Sequence, residues 1–310
     1  MNEATLSTIR VYPVKALDGL TVDAATLRPD GSLRPDRVVA LVDADGDYVN
    51  GKNERAVHRL SADYDSTAGT VRLTPPSVEA APTGSVPSPA TFRVPGLADG
   101  DAGEEETDSD AGEEETDSDA GEEETDSDVR GGPDALAEWV ETYLGYEVRA
   151  AVTEPSYPDD TAASGPTLLS RATLSTVGDW FDLSERAVAR RFRPNLVVSG
   201  VPAFWEERLY GDRSERVRFR VGDATLDGVG PCRRCVVPAR DPDTGAETAG
   251  FRERFVRRRT ETLPDWSDGP RFEGAFRLAL NTVVPPAGRE SRLAVGDRVV
   301  VDGAVPAAEA

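Results

Sequence analysis

Short runs of apolar residues, many β-branched and separated by Gly, Pro and Asp, dominate the chain. Such runs predict strands over 7–14, 21–27, 38–42, 48–50, 71–73 and 92–94. Asp45-Gly46 lies between two of them, where a hairpin turn is expected. Helical spacing begins after Gly132-Pro133-Asp134, with Leu136, Trp139, Val140, Tyr143 and Leu144 on one side and Gly145 to close the helix. Residues 147–152 return to strand. Beyond a polar, turn-rich connector from Pro155 to Pro166, strands are expected over 167–169, 196–198, 217–221, 224–226, 276–280 and 299–301, and helices over 173–181 and 184–191. Many short strands with few helices predict a mainly β protein, β-barrels with a few helices. Strand–helix alternation is missing, which argues against a doubly wound sheet. No G-x-G-x-x-G or G-x-x-x-x-G-K segment occurs, which removes the usual dinucleotide and nucleoside triphosphate readings.

One stretch has nothing to bury. Ala-Gly-Glu-Glu-Glu-Thr-Asp-Ser-Asp occurs three times unchanged, at 102–110, 111–119 and 120–128. Residues 99–128 hold 17 acidic and no basic side chains, so the segment is expected to be disordered, a solvated loop in preference to a binding tail. It divides the chain into two expected β-rich units: residues 1–98 with 129–152, and residues 153–305. The net charge of −22 falls to −5 once those 17 charges are set aside. Two lysines against 33 arginines, in an acidic chain, point to a salt-loving source. Acidity argues against nucleic acid and against an anionic membrane surface as partners. No apolar run approaches the ~20 residues that cross a bilayer, and the first residues resemble no secretion signal, so the expected location is the cytoplasm.

The chemistry concentrates in Pro231-Cys232-Arg233-Arg234-Cys235, which carries both cysteines of the chain. Guanidinium groups beside a cysteine favour its thiolate, a soft metal ligand. Gly230-Pro231 implies a turn that presents the pair at a strand end, and Asp241-Pro242-Asp243-Thr244-Gly245 implies a second tight turn just beyond. A lone C-x-x-C also fits a redox pair, half of a zinc site, or two small buried residues. The surroundings lack the βαβ context of the first and the partner ligands of the second, yet the residues alone leave the choice open. The single histidine, His58, leaves no basis for a His-based triad or a His-rich zinc site. It is expected to be a surface or half-buried residue without a catalytic duty.

Cys232-Arg233-Arg234-Cys235 followed by Asp241-Pro242-Asp243-Thr244-Gly245 resembles the C-x-R-C…D-P-x-T-G signature of the MOSC-domain family, which includes amidoxime-reducing components and their bacterial homologues. Tyr12-Pro13-Val14-Lys15 with Gly19, and Asp36-Arg37 with 38–42 and Gly46, resemble segments of that family's N-terminal β-barrel domain. Phe192-Arg193-Pro194-Asn195-Leu196 and Val295-Gly296-Asp297-Arg298-Val299 resemble segments of its MOSC core.

The resemblance implies an N-terminal MOSC-type barrel, a C-terminal MOSC barrel, and a molybdenum cofactor held between them. In that reading Cys235 is the catalytic metal ligand, and Lys15, Arg37 and Arg193 neutralise the phosphate of the pterin. Ser164 and Asn195 supply polar contacts, Arg234 sits beside the ligand, and Cys232 is structural. Asp241 and Asp243 shape their turn. The implied reaction is two-electron reduction of hydroxylamines, amidoximes or hydroxylated bases, with electrons from a separate ferredoxin, flavoprotein or small haem protein. The family also brings an association with pyridoxal phosphate binding. Two rivals are a cofactor carrier or sulfur-transfer protein without turnover, and a non-catalytic binding module with structural cysteines. Ala16 stands where the family often has Ser, Ala275 near a Tyr, and Pro238 for a Thr, departures that bear on substrate more than on metal.

Overall fold

The computed structural model describes residues 3–98, 129–153, 157, 163–211, 215–263 and 274–307. The acidic repeat at 99–128 and most of the 155–166 connector lie outside the described residues. The first half carries β1 (Thr5–Val11), β2 (Leu20–Val22), β3 (Ala24–Thr26), β4 (Val39–Asp43), β5 (Ser61–Asp65), β6 (Thr70–Thr74), β7 (Ala90–Arg93), α1 (Pro133–Leu144) and β8 (Val148–Val152). The second half carries β9 (Leu168–Ser170), α2 (Arg171–Phe181), α3 (Glu185–Phe192), β10 (Leu196–Ser199), β11 (Glu215–Val221), β12 (Ala224–Arg233), α4 (Phe251–Thr262), β13 (Arg277–Val283), β14 (Arg292–Ala294) and β15 (Val299–Pro306). The mainly β expectation holds.

The helix starts and stops follow local chemistry. Pro133 begins α1, and Gly145 ends it at a left-handed φ of 81°, donating its N–H to Glu141. The Ser170 and Ser184 hydroxyls accept from the N–H groups of Thr173 and Ala187 and so cap α2 and α3.

Eight strands form one sheet in the order β15-β11-β12-β13-β9-β10-β1-β2. The start of β1, next to the far end of this row, meets the residue before β15 at one bridge, Thr5 with Arg298. Leu6 N–H donates to Asp297 O at 2.8 Å, and Val299 N–H to Ala4 O at 2.8 Å. No ladder closes a barrel among the described strands. The smaller sheets are β14-β3, β4-β8 and β5-β6-β7. Two cores result. One joins α1 to β4–β8 around Phe92, Trp139, Val140 and Tyr143. The other fills the large sheet and includes Leu6, Ile9 and Val11 of β1 with Phe219, Leu226 and Leu280. The first strands therefore pack with the second half of the chain. A third, aromatic cluster under α2–α4 stacks Phe181 on Phe251 at 4.1 Å between centroids.

Several expectations are corrected. The strand expected over 21–27 divides at Asp23, because β2 pairs with β1 while β3 pairs with β14. Residues 48–50 contribute one bridge from Tyr48 to Val42 and no strand. Gly230-Pro231 is not a turn. Both residues lie inside β12, paired with Asn281 and Leu280, with the register shifting on either side. Among the described residues no helix is long and apolar enough to cross a membrane.

Candidate functional site

A cleft of about 1060 Å³ opens where the two halves meet. Its walls include Lys15, Arg37, Ser164, Arg193, Asn195, Arg234 and Cys235, so all the sequence-proposed site residues line one space. Eight lysines and arginines line it against two aspartates, Asp18 and Asp36. In a chain of net charge −22 this is a local reversal of sign.

The loop after β1 carries the first group. Lys15 N–H donates to Val39 O at 2.7 Å. Its Nζ donates to Tyr157 O at 3.3 Å and sits 4.8 Å from the Tyr48 ring centroid. Arg37 is buried and ion-paired with Asp36, whose Oδ1 accepts the Tyr12 N–H at 2.7 Å. Tyr12 is central: the Arg193 guanidinium lies 3.9 Å and the Arg37 guanidinium 5.4 Å from its ring. Burial pushes the Tyr12 hydroxyl pKa up, against the pull of Arg193, so it stays a neutral donor, here to Pro194 O at 3.2 Å. Three residues on the cleft wall hold left-handed φ: Ala16 at 77°, Arg37 at 53° and Arg193 at 51°. L-residues rarely adopt this conformation, and its concentration here marks a site held by its surroundings. For Arg193 the cause is local, since it caps α3 just before Pro194.

The polar pair behaves differently. Ser164 Oγ donates to Asp30 O at 3.0 Å. Asn195 is buried, and its amide joins three segments. Oδ1 accepts from Thr167 N and Oγ1, both at 3.1 Å, and Nδ2 donates to Arg10 O at 3.1 Å. Its main observed work is to fix the start of β9 against β1.

Both cysteines are free thiols at the end of β12, Cys232 half-buried and Cys235 exposed to the cleft. Arg234 donates from Nη2 to Phe192 O at 2.7 Å and from Nη1 to Cys232 Sγ at 3.1 Å, so it binds the strand end to α3. The turn beyond is built on Asp241, whose Oδ1 accepts from Asp243 N, Thr244 N and Thr244 Oγ1 at 2.9–3.1 Å. Partial burial works the other way, yet these bonds and Arg191 hold the Asp241 carboxyl below the usual carboxylate range. Gly245 is required there: its φ is 67°, and an added Cβ would lie 2.5 Å from Arg55 O.

Sequence reasoning passed over the residues that fasten this turn. Arg191 is buried and donates to Pro238 O and Arg240 O. Arg240 donates to Gly51 O, which His58 Nε2 also approaches at 3.2 Å. His58 is half-buried and lines the cleft; burial lowers its pKa, so the ring is neutral near pH 7. Among 33 arginines no periodic signal distinguishes these. Tyr12 was visible as a motif letter, and Lys52, which also lines the cleft, was visible as the second of two lysines.

Residues 3–147 match the MOSC N-terminal beta barrel domain and residues 167–300 match the MOSC domain. The chain belongs to the MOSC-domain family. This MOSC protein is 26% identical to the mitochondrial amidoxime reducing component 2 of Bos taurus over 78% of this chain and 68% of that one. It is 26% identical to the mitochondrial amidoxime-reducing component 1 of Homo sapiens over 78% of this chain and 67% of that one. A solved structure, the YUAD protein from Bacillus subtilis, is 17% identical over 47% of this chain and 66% of that one, with a TM-score of 0.26.

Proposed function

We propose that this MOSC protein is a molybdenum-cofactor-dependent reductase of N-hydroxylated compounds, with Cys235 as the protein ligand to the metal. The observation that carries the reading is the placement of one exposed thiol in a cleft where cations outnumber anions eight to two. The donor set fits. Among the described residues no group of three or more His, Cys, Asp or Glu could hold a metal ion by itself. A bare ion is therefore not served here, whereas a metal already ligated by a pterin dithiolene needs one further soft donor. The phosphate of such a pterin needs cations, and the cleft is rich in them.

The residues divide the work. Lys15 reaches the cleft along the Tyr48 ring as a point charge, and Arg193 and Arg37 flank Tyr12 as planar forks. Together they would hold the phosphate. Ser164 keeps oxygen lone pairs available while it donates to Asp30 O. Asn195 positions the Arg193 loop from beneath, and Arg234 orients the cysteine strand end through Phe192 O. The bound cofactor supplies two-electron redox chemistry. Reduction of an N–OH group to N–H consumes two electrons and two protons and releases water. The electrons would come from a separate ferredoxin, flavoprotein or haem protein. The amidoxime-reducing names of the two mammalian relatives support this reaction class.

The test is turnover of hydroxylamines, amidoximes and hydroxylated bases by molybdenum-loaded protein with reduced viologen dye as donor. Oxidation of dye with formation of the amine-type product is expected. Loaded protein inactive across the panel would instead be a carrier of the cofactor.

A further inference from the structure

Both lysines of the chain, Lys15 and Lys52, line the same cleft. Lys15 is engaged with Tyr157 and Tyr48. Lys52 is exposed, and its ammonium makes no hydrogen bond, ion pair or ring contact with the described residues. Arg233, the last residue of β12 and two positions before Cys235, is likewise exposed, lines the cleft and has no side-chain partner among the described residues. The cleft cations Arg37, Arg190, Arg193 and Arg234 all bind the protein itself. Lys52 and Arg233 contribute no such bond, so their charge in the cleft is available to a ligand.

The segment that carries Lys52 is held from two directions. Arg240, five residues beyond Cys235, is buried and donates to the carbonyl of Gly51, the residue before Lys52. Asn50 Oδ1 accepts the Lys52 N–H at 2.9 Å, and Gly51 packs so closely on His58 that an added Cβ would lie 2.3 Å from its Nε2. The backbone beneath Lys52 is therefore tied to the cysteine loop. One free cation comes from each half of the molecule, and both attach next to the segment that bears the thiol.

We propose that Lys52 and Arg233 form a second anion site, distinct from the Lys15, Arg37 and Arg193 group, that takes a phosphate carried by the substrate. A point charge with a guanidinium fork suits a phosphate dianion. The cleft volume of about 1060 Å³ lies at the upper end of the usual range for ligand sites. The substrate class is thus phosphorylated N-hydroxylated compounds, such as a hydroxylated nucleobase in nucleotide form. Naming the substrate rests on the reductase reading; the anion site does not.

The experiment uses full-length protein as purified, with the matched pair cytidine and cytidine 5′-monophosphate as binding probes, followed by calorimetry. The wild type should bind the monophosphate at least about tenfold more tightly at low salt, with a preference that shrinks as salt rises. The double variant Lys52→Ala, Arg233→Ala should lose this preference, and Lys52→Arg should keep it. Equal affinity in the wild type, or a preference that survives the double substitution, overturns the site. Molybdenum and pterin content should match wild type in the double variant. Loss of both would give these cations to an anionic extension of the cofactor and overturn the substrate assignment. Reductase turnover separates the two readings. Activity on N-hydroxylated nucleosides with no gain for the phosphate form overturns this inference alone, and phosphate-selective binding without any turnover overturns the reductase reading alone.

Discussion

Arg190 of α3 donates from Nη1 to Asp243 Oδ1 at 2.6 Å and from Nη2 to Asp18 Oδ1 at 3.2 Å. One side chain therefore joins the loop that follows Lys15 to the turn that follows Cys235. It does so from the helix that Arg193 caps, so three of the motifs meet at one guanidinium.

Arg190→Met removes both ties and leaves the aliphatic stem. Because the partners are partly exposed, the global cost is modest, about 1 kcal/mol in a urea titration. The larger expected effect is local: molybdenum retained after extended dialysis should fall several-fold against wild type. Equal retention would show that the two loops hold their relative place without this clamp.

Glu206 gives a pH dependence of known sign. It is 2% exposed, and its Oε2 accepts the Ser170 N–H at 3.2 Å while Oε1 has no partner among the described residues. Burial pushes its pKa up from 4.5 to about 7. The folded protein thus binds this proton more tightly than the unfolded chain. The stabilisation is full below the unfolded pKa and is lost as pH rises toward and through about 7. Its ceiling is on the order of 3 kcal/mol. Urea midpoints of wild type should decline from pH 5 to pH 8.5, and Glu206→Gln should flatten that decline. Parallel slopes for the two proteins would contradict the assignment.

Arg259 of α4 is buried, paired with Glu207 and 4.3 Å from the Phe204 ring centroid. Burial raises the Glu207 pKa, and Arg259 opposes it. Arg259→Ala should cost about 3–5 kcal/mol by leaving a buried carboxylate unpaired. Arg259→Met with Glu207→Leu should recover most of that loss, as followed by thermal and urea unfolding. A double variant as unstable as the single one would mean that the helix needs the charge pair itself.

The same helix shows where sequence reading stopped. The buried face of α4 is Phe251, Phe255 and Arg259, so the third apolar position is an arginine and the period does not register. In β5, Ser61–Asp65, the exposed acids obscure an alternation carried by Ala62 and Tyr64 alone. Asp23 divides what read as one strand because its two halves meet different partners. By contrast α1 was legible, because Pro133 and Gly145 mark its ends and five large apolar residues mark one side. Lys15, Arg37, Arg193 and Cys235 were named through the resemblance of their motifs to the MOSC family, and all four line one cleft. Arg190, Arg191 and Arg240 were not, since their role lies in long-range bonds to carbonyls and carboxylates that no local pattern encodes.

The most direct test is metal analysis of the wild type beside Cys235→Ala, both produced with molybdate and purified alike. Cys235 is exposed, so the substitution leaves the fold intact and changes one sulfur. The wild type should carry about one molybdenum per chain, and the variant close to none, as expected when a direct ligand is lost. Full molybdenum in the Ala variant would contradict the assignment of this thiol as the ligand.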